Sequence, residues 1–145
     1  GVKLEGVSGT RYMYHDPCHT PMKLQDPMKT VRALVGPEVD KSDRCCGESG
    51  TLAVTRPDIS TQIRFRKEIE IRKGADKLRE DGFNGDVKIL TSCPSCMQGL
   101  NRYNEDASVQ ADYIVVEIAR HMLGEAWMEN YVKQANTGGI ERVLV

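Results

Sequence analysis

Segments with a strand pattern alternate along this chain with segments that have a helix pattern, and this alternation constrains the fold more than any other feature. TRYMYHDP, residues 10–17, is rich in tyrosine and ends at an Asp-Pro turn, which is typical of a strand. DPMKTVRALVG, residues 26–36, has an N-cap, an early proline and a terminal glycine, which indicate a helix. DVKILT, residues 86–91, is a candidate for a buried strand. The pattern predicts an α/β fold whose mainly parallel sheet is flanked by helices.

The strongest helix pattern covers RPDISTQIRFRKEIEIRKGADKLREDG, residues 56–82. Its apolar residues recur at steps of three and four, and Gly82 ends the run. Basic and acidic residues are intermixed, which indicates a solvated outer face. The apolar positions are Ile59, Ile63, Phe65, Ile69, Ile71, Ala75 and Leu78.

Two further segments are less regular. PEVDKSDRCCGESG, residues 37–50, is polar, and we interpret it as a loop or a short strand followed by a glycine-rich turn. ADYIVVEIARHMLGEAWMENYV, residues 111–132, begins like a strand and continues as a helix, in which Trp127 and Tyr131 are spaced to pack on one side. Since no repeat or long linker interrupts the chain, we expect a single domain over residues 1–145. A strand pattern so close to the first residue suggests a fragment of a longer protein.

The five cysteines fall in three places along the alternation. Cys18 follows the first predicted strand, while Cys45 and Cys46 lie in a glycine-rich loop before a helix. Cys93 and Cys96 follow the strand at residues 86–91 and open a helix. In parallel α/β sheets, the loops after the carboxyl ends of the strands lie at one edge, where ligands bind. We therefore expect the cysteine-bearing loops to meet at one edge of the sheet.

Several kinds of site could use these thiols. The neighbours Cys45 and Cys46 can hardly form a disulfide with each other without strain. The CxxC spacing of Cys93 and Cys96 suits a thioredoxin-like redox pair or a zinc site. A redox pair does not require the other three cysteines, however, and tetrahedral zinc takes four ligands. Five thiolates suit an iron–sulfur cluster that needs more than four ligands or exchanges one.

The charge balance argues against two classes of partner. Lysine and arginine number 20 against 21 acidic residues, so the net charge of −1 gives no electrostatic footprint for nucleic acid or an anionic membrane. No apolar run approaches the roughly 20 residues of a transmembrane segment, and no signal peptide is recognisable. We expect a cytoplasmic, reducing environment, in which clustered thiols bind metal or carry out redox chemistry.

Three short motifs carry a resemblance to a known family. HDPCH (15–19), CCG (45–47) and CPSC (93–96) together resemble the CCG, or cysteine-rich, domain of the heterodisulfide reductase B subunit family. The resemblance extends from about Thr10 to about Gly124. Its relatives include the iron–sulfur subunits of glycolate oxidase, of anaerobic glycerol-3-phosphate dehydrogenase and of the lactate-utilisation system. The resemblance implies an iron–sulfur cluster of the 4Fe–4S type, non-cubane in the heterodisulfide reductases, with zinc as an alternative. The implied ligands are Cys18, Cys45, Cys46, Cys93 and Cys96.

The C-terminal part of the chain resembles large fused proteins related to FAD-linked D-lactate dehydrogenase and glycolate oxidase. This likeness implies a partner domain or subunit that contains FAD and acts on a small 2-hydroxy acid such as lactate or glycolate. It also implies a quinone or another electron carrier as acceptor, and a location in the cytoplasm or, through partners, at the inner face of the membrane. Many relatives carry two cysteine motifs and this chain carries one, which supports the idea of a fragment of a longer oxidoreductase.

Three residues beside the cysteines are candidates for contacts around the cluster. His15 and His19 flank Cys18, and either imidazole could donate to a sulfur or bind metal in its place. The simpler interpretation of His15 is a turn with local hydrogen bonds. Gly47 follows the double cysteine, where it permits unusual backbone angles or a close approach to a cluster.

Three functions are compatible with these residues. The leading hypothesis is an iron–sulfur electron-transfer domain of a flavin-linked oxidoreductase. The second is a zinc-stabilised docking module that transfers no electrons. The third is a thiol–disulfide redox domain that uses Cys93 and Cys96 and works without metal.

Overall fold

A computed structural model of the protein describes residues 9–48 and 50–138. Four strands in these ranges form one sheet in the order β2-β1-β3-β4, and every neighbouring pair is parallel. The strands are β1 (Thr10–Tyr14), β2 (Val39–Lys41), β3 (Asp86–Thr91) and β4 (Gln110–Tyr113). The helices are α1 (Pro27–Val35), α2 (Leu52–Thr55), α3 (Pro57–Arg79), α4 (Pro94–Leu100), α5 (Tyr103–Ala107), α6 (Ile114–Leu123) and α7 (Trp127–Asn136). The predicted α/β fold is confirmed; both ends of the domain expected over residues 1–145 lie outside the described residues.

The two central strands are buried on both faces of the sheet. In β1, Met13 packs on one side with residues of α3, α4 and α5, whereas Tyr12 and Tyr14 pack on the other side with residues of α1. In β3, Ile89 and Leu90 divide between the same two sides. The helices therefore cover both faces, as a parallel sheet requires.

The helix predicted at residues 26–36 forms as α1. The Asp26 carboxylate accepts hydrogen bonds from the backbone N–H groups of Met28 and Lys29, at 2.9 and 3.3 Å. Pro27 occupies the first helical turn, and Gly36 ends the helix with a φ of 114°.

The long predicted helix forms as α3, but of the apolar residues that identified it only Ile71 and Ala75 are buried. Phe65 and Ile69 are 67% and 60% exposed. The residues of α3 that are buried are Ser60, Lys67, Ile71 and Ala75. A serine and a lysine thus face the interior, where the polar backbone of the loop after β2 supplies their partners.

The less regular segments resolve into defined elements. The segment at residues 37–50, of which Ser49 lies outside the described residues, contains the short strand β2. The segment at residues 111–132 contains most of β4, then α6 and the start of α7. The spacing of Trp127 and Tyr131 does not bring them into the core, because no residue of α7 is buried and Tyr131 is 54% exposed. No helix within the described ranges has both the length and the apolar character needed to cross a membrane.

A buried acid links β1, β3 and α6. Glu117 is 1% exposed and accepts hydrogen bonds from the Tyr12 hydroxyl at 2.7 Å and from Lys88 Nζ at 3.0 Å. Arg120, one turn further along α6, pairs with the same carboxylate. Since Lys88 is itself buried, its ammonium depends on this carboxylate for its neutralisation.

Glu117→Gln is expected to lower the free energy of unfolding by about 3 kcal/mol, because it leaves the buried Lys88 ammonium without a counter-charge. Urea denaturation measures this loss. Glu68→Gln is the matched control: Glu68 pairs with Arg72 at the surface of α3, and its loss is expected to cost less than about 1 kcal/mol. Equal losses in the two variants would contradict the role of the buried pair.

Candidate functional site

The segments that follow three neighbouring strands place the cysteines at one edge of the sheet. β1, β2 and β3 end at Tyr14, Lys41 and Thr91, and the segments that follow them carry all five thiols. Because the three strands are adjacent and parallel, their carboxyl ends lie side by side. The predicted gathering of cysteine-bearing loops at one edge of the sheet is confirmed.

Two of the thiols form a buried pair. Cys46 and Cys96 are 2% and 4% exposed, and their Sγ atoms are 3.3 Å apart. The hydrogen bond between Cys46 and Cys96 is the main cause that lowers the pKa of Cys46, to about 4, and His15 and the backbone N–H of Glu48 act in the same direction. The same contact, together with burial, raises the pKa of Cys96. The contact therefore favours a thiolate on Cys46 over one on Cys96.

The other three thiols lie further out. Cys18 is exposed, and Cys45 and Cys93 are half-buried. Burial and the neighbouring thiol of Cys45 raise the pKa of Cys18. The neighbouring thiol of Cys93 also raises the pKa of Cys96. Cys18 and Cys45 also line an open depression of about 260 Å³ together with His15.

The backbone around the double cysteine explains why two adjacent thiols can serve one site. Arg44 and Gly47, on either side of the pair, have positive φ angles of 69° and 79°. The chain turns so sharply there that Cys45 lines the open depression while Cys46 enters the core beside Cys96. The backbone N–H of Gly47 donates to Cys45 Sγ at 3.3 Å.

A hydrogen bond and an ion pair join the loop that carries the double cysteine to α3. The hydroxyl of Ser60 donates to the carbonyl of Gly47 at 3.1 Å, and Arg64 pairs with the buried Glu48 at 3.2 Å. A Cβ atom at Gly47 would lie 3.3 Å from the carbonyl oxygen of Ser60 and 3.4 Å from Arg64 Cγ. The close approach at Gly47 is thus to α3.

The two histidines beside Cys18 differ in position. His19 is exposed. His15 is 2% exposed, and one of its ring nitrogens lies within 4.8 Å of both Cys46 Sγ and Cys96 Sγ. Its Nδ1 atom contacts Lys67 Nζ at 3.2 Å, so the ring bonds across to α3 rather than within a local turn.

Lys67 is a residue of the site that sequence reasoning missed. Its side chain is fully buried in α3, and burial lowers its pKa to about 8. The charges of Glu70, Cys46, Asp43 and Cys96, in decreasing order of effect, favour its protonated form. In the sequence it is one of many charged residues on a helix, and only its place beneath the cysteine loop distinguishes it.

Comparison with known families matches most of this chain. Residues 12–101 match the family model of a cysteine-rich domain, named CCG, which covers all five cysteines. This chain belongs to the CCG family. Residues 101–145 match a second model, a domain of unknown function, DUF3400. The CCG match ends before the Gly124 boundary expected from the motifs, although β4 pairs with β3 beyond that point.

One relative of this CCG chain is the B subunit of the fumarate reductase (CoM/CoB) of Methanothermobacter marburgensis. The two are 31% identical over 102 residues, which is 66% of this chain. The chain spans only 18% of the length of that relative. No solved structure matches the chain.

The residues at the sheet edge of this CCG domain fit a cluster that offers sulfur atoms. His15 Nε2 and Thr91 Oγ1 are buried without a hydrogen-bond partner among the described residues. His15 directly follows β1 on the face of Met13, and Thr91 ends β3 on the face of Ile89, so both side chains lie on the face that packs against Cys46 and Cys96. Cluster sulfurs accept hydrogen bonds, and two unpartnered polar side chains on the face of the buried thiols suit such a group.

Cys96→Ala is expected to raise the pKa of Cys46 in the reduced, metal-free chain, because the Cys46 thiolate loses its S–H donor. Cys96→Ser keeps a hydroxyl donor and is expected to hold the pKa closer to that of the wild type. The ultraviolet absorbance of thiolates, followed against pH, measures the change. An unaltered low-pH step in Cys96→Ala would show that Cys96 is not the donor.

Gly47→Ala is expected to destabilise the fold more than Gly50→Ala. Both glycines have positive φ, for which an alanine costs about 1 kcal/mol, but a Cβ atom at Gly50 would meet nothing within 4 Å. The contact with α3 should add about 1 kcal/mol at Gly47. Urea denaturation of the two variants isolates this difference, and equal losses would mean that α3 yields to the extra methyl group.

Proposed function

We propose that this chain is an iron–sulfur electron-transfer domain of a flavin-linked oxidoreductase. The observation that carries the proposal is the meeting of five thiols at one edge of the sheet, with Cys46 and Cys96 buried 3.3 Å apart. A cluster bound there would accept and donate single electrons. The ligands in this proposal are Cys18, Cys45, Cys46, Cys93 and Cys96.

The surroundings of the thiols support a negatively charged cluster. Lys67 supplies a positive charge beside Cys46 and Cys96, and the carboxylates of Glu70 and Asp43 also act on its charge. A buried cation favours thiolates and also favours the more reduced cluster, since each electron adds negative charge. Burial of the inner pair protects the inner ligands from exchange with solvent.

The partners follow from the resemblance and from the relative. Membership of the CCG family, and a relative named as one subunit of a reductase, support a separate subunit or domain that performs the substrate chemistry. In our proposal that partner contains FAD, oxidises a small 2-hydroxy acid, and delivers its electrons through this domain to a quinone or another carrier. The proposal also assigns the domain to a reducing compartment, where the thiols stay available as ligands.

A zinc-stabilised docking module is the second candidate. Three buried ligands within 4.8 Å of one another favour it, namely His15, Cys46 and Cys96. Zinc binds nitrogen and sulfur in tetrahedral sites, so a fourth ligand from the outer thiols would complete the coordination. This module would hold a partner in place without transferring electrons.

Reconstitution of the chain with iron and sulfide, without oxygen, tests the two candidates. We expect iron and sulfide in stoichiometric amounts, a brown colour in the visible spectrum and an electron paramagnetic resonance signal in one oxidation state. Cys46→Ser is expected to abolish uptake because it removes a buried ligand. Gln134→Ser, at an exposed position of α7 that carries no proposed ligand, serves as the control and should leave uptake intact.

Tight binding of zinc without uptake of iron would overturn the electron-transfer proposal in favour of the docking module. Disulfide reduction by the metal-free chain, lost in Cys93→Ser, would instead support the thiol–disulfide redox domain.

A further inference from the structure

Lys67 lies at the centre of a set of acceptors that joins α3 to the cysteine site. Its Nζ atom is 2.6 Å from the carbonyl of Asp43, 3.1 Å from the carbonyl of Ser42 and 2.9 Å from the hydroxyl of Ser42. The fourth contact is with His15 Nδ1, at 3.2 Å. Every one of these atoms can accept a hydrogen bond, and two of them, the carbonyl oxygens, can only accept.

An ammonium group determines what the facing imidazole nitrogen can be. It has three N–H donors and no lone pair, so a nitrogen in contact with it must present its own lone pair. The pKa of about 8 for Lys67 leaves the ammonium as its main form at pH 7. His15 Nδ1 is therefore the unprotonated nitrogen of the ring, and a neutral imidazole then carries its proton on Nε2.

The same contact disfavours His15 as a metal ligand. A neutral imidazole that binds a metal through Nε2 must carry its proton on Nδ1, where it would point at the ammonium of Lys67. Binding of a metal ion through Nδ1 would require the metal ion to take the place that the ammonium of Lys67 occupies. The buried Nε2 atom has no hydrogen-bond partner among the described residues, while a ring nitrogen of His15 lies within 4.8 Å of both buried sulfurs.

We propose that Lys67 is a positioning residue that fixes His15 as the Nε2–H tautomer, so that His15 donates a hydrogen bond to sulfur at the site and does not ligate metal. The assignment of the tautomer concerns the polypeptide alone. Its consequence for a cluster rests on the function proposed above: a hydrogen bond to sulfur stabilises the more negative, reduced state and raises the reduction potential.

Nuclear magnetic resonance of the full chain with ¹⁵N-labelled histidine tests the tautomer directly. Long-range proton–nitrogen correlations are recorded at pH 7 on the reduced, metal-free chain and on the zinc-loaded chain, both of which are diamagnetic. We expect His15 to show a protonated Nε2 and an unprotonated Nδ1 in both. A proton on Nδ1, or a metal-bound Nε2 in the zinc-loaded chain, would overturn the proposal.

Lys67→Met tests the cause of the tautomer. Without the ammonium, a proton is no longer excluded from Nδ1, so a measurable fraction of the Nδ1–H form should appear, whereas Lys73→Met, at an exposed position of the same helix, should leave that form undetectable. An unchanged tautomer in folded Lys67→Met would overturn the role of Lys67. If Lys67→Met fails to fold, the wild-type spectrum still decides the tautomer, and the histidine variants below decide the role of the donor.

The reduction potential of the iron-reconstituted chain tests the donor role. His15→Leu removes the N–H and is expected to shift the equilibrium about tenfold against the reduced cluster, or about 59 mV for one electron, with iron content unchanged. His15→Gln offers an amide N–H close to the position of Nε2 and should keep the potential near that of the wild type.

Loss of iron in both variants would identify His15 as a ligand, and equal shifts of the reduction potential in both would overturn the donor role. If iron is not taken up at all but Nε2 is protonated, the proposed function fails and the tautomer assignment stands.

Discussion

The parallel pairing of β1 with β3 at the centre of the sheet is the contact on which the site depends. It sets Thr10 beside Asp86 and Tyr14 beside Leu90, residues that the chain separates by most of its helical structure. Each cysteine segment alone has one or two thiols, too few for a metal centre. Because both faces of these strands are buried under helices, the pairing is held by the whole core, and the meeting of the thiols follows from it.

The buried side of α3 carries two polar residues, Ser60 and Lys67, that bind the loop after β2. Ser60 and Lys67 donate hydrogen bonds to carbonyl groups of the loop that carries the double cysteine. Burying an ammonium is costly, and here several acceptors, the charge of Glu70 and the nearby thiols offset that cost. The helix α3 thus positions the loop that carries Cys46. Cys96 lies at the start of α4, just after β3, where its Sγ atom meets that of Cys46.

Periodicity and turn residues are sufficient to predict β1, β3, α1 and α3, and the parallel order is enough to predict that the cysteine loops meet. Those features depend on local patterns that the sequence displays directly. The buried side of α3 could not be predicted, since Lys67 is internal only because a loop distant in sequence supplies its partners. For the same reason the sequence favours a local turn for His15, although the partner of its ring lies on α3. Roles of the cysteines as ligands remain predictions.

The position of β4 has a consequence for how this family is divided into units. The CCG model ends at residue 101, yet β4 follows that point, pairs with β3 and leads into the helix that carries Glu117. A chain cut where the family match stops would leave β3 as an open edge, with Val87, Ile89 and Leu90 available for pairing with another molecule. The sheet therefore extends beyond the residues that match the CCG model. The segment matched as a domain of unknown function, residues 101–145, supplies its edge strand β4.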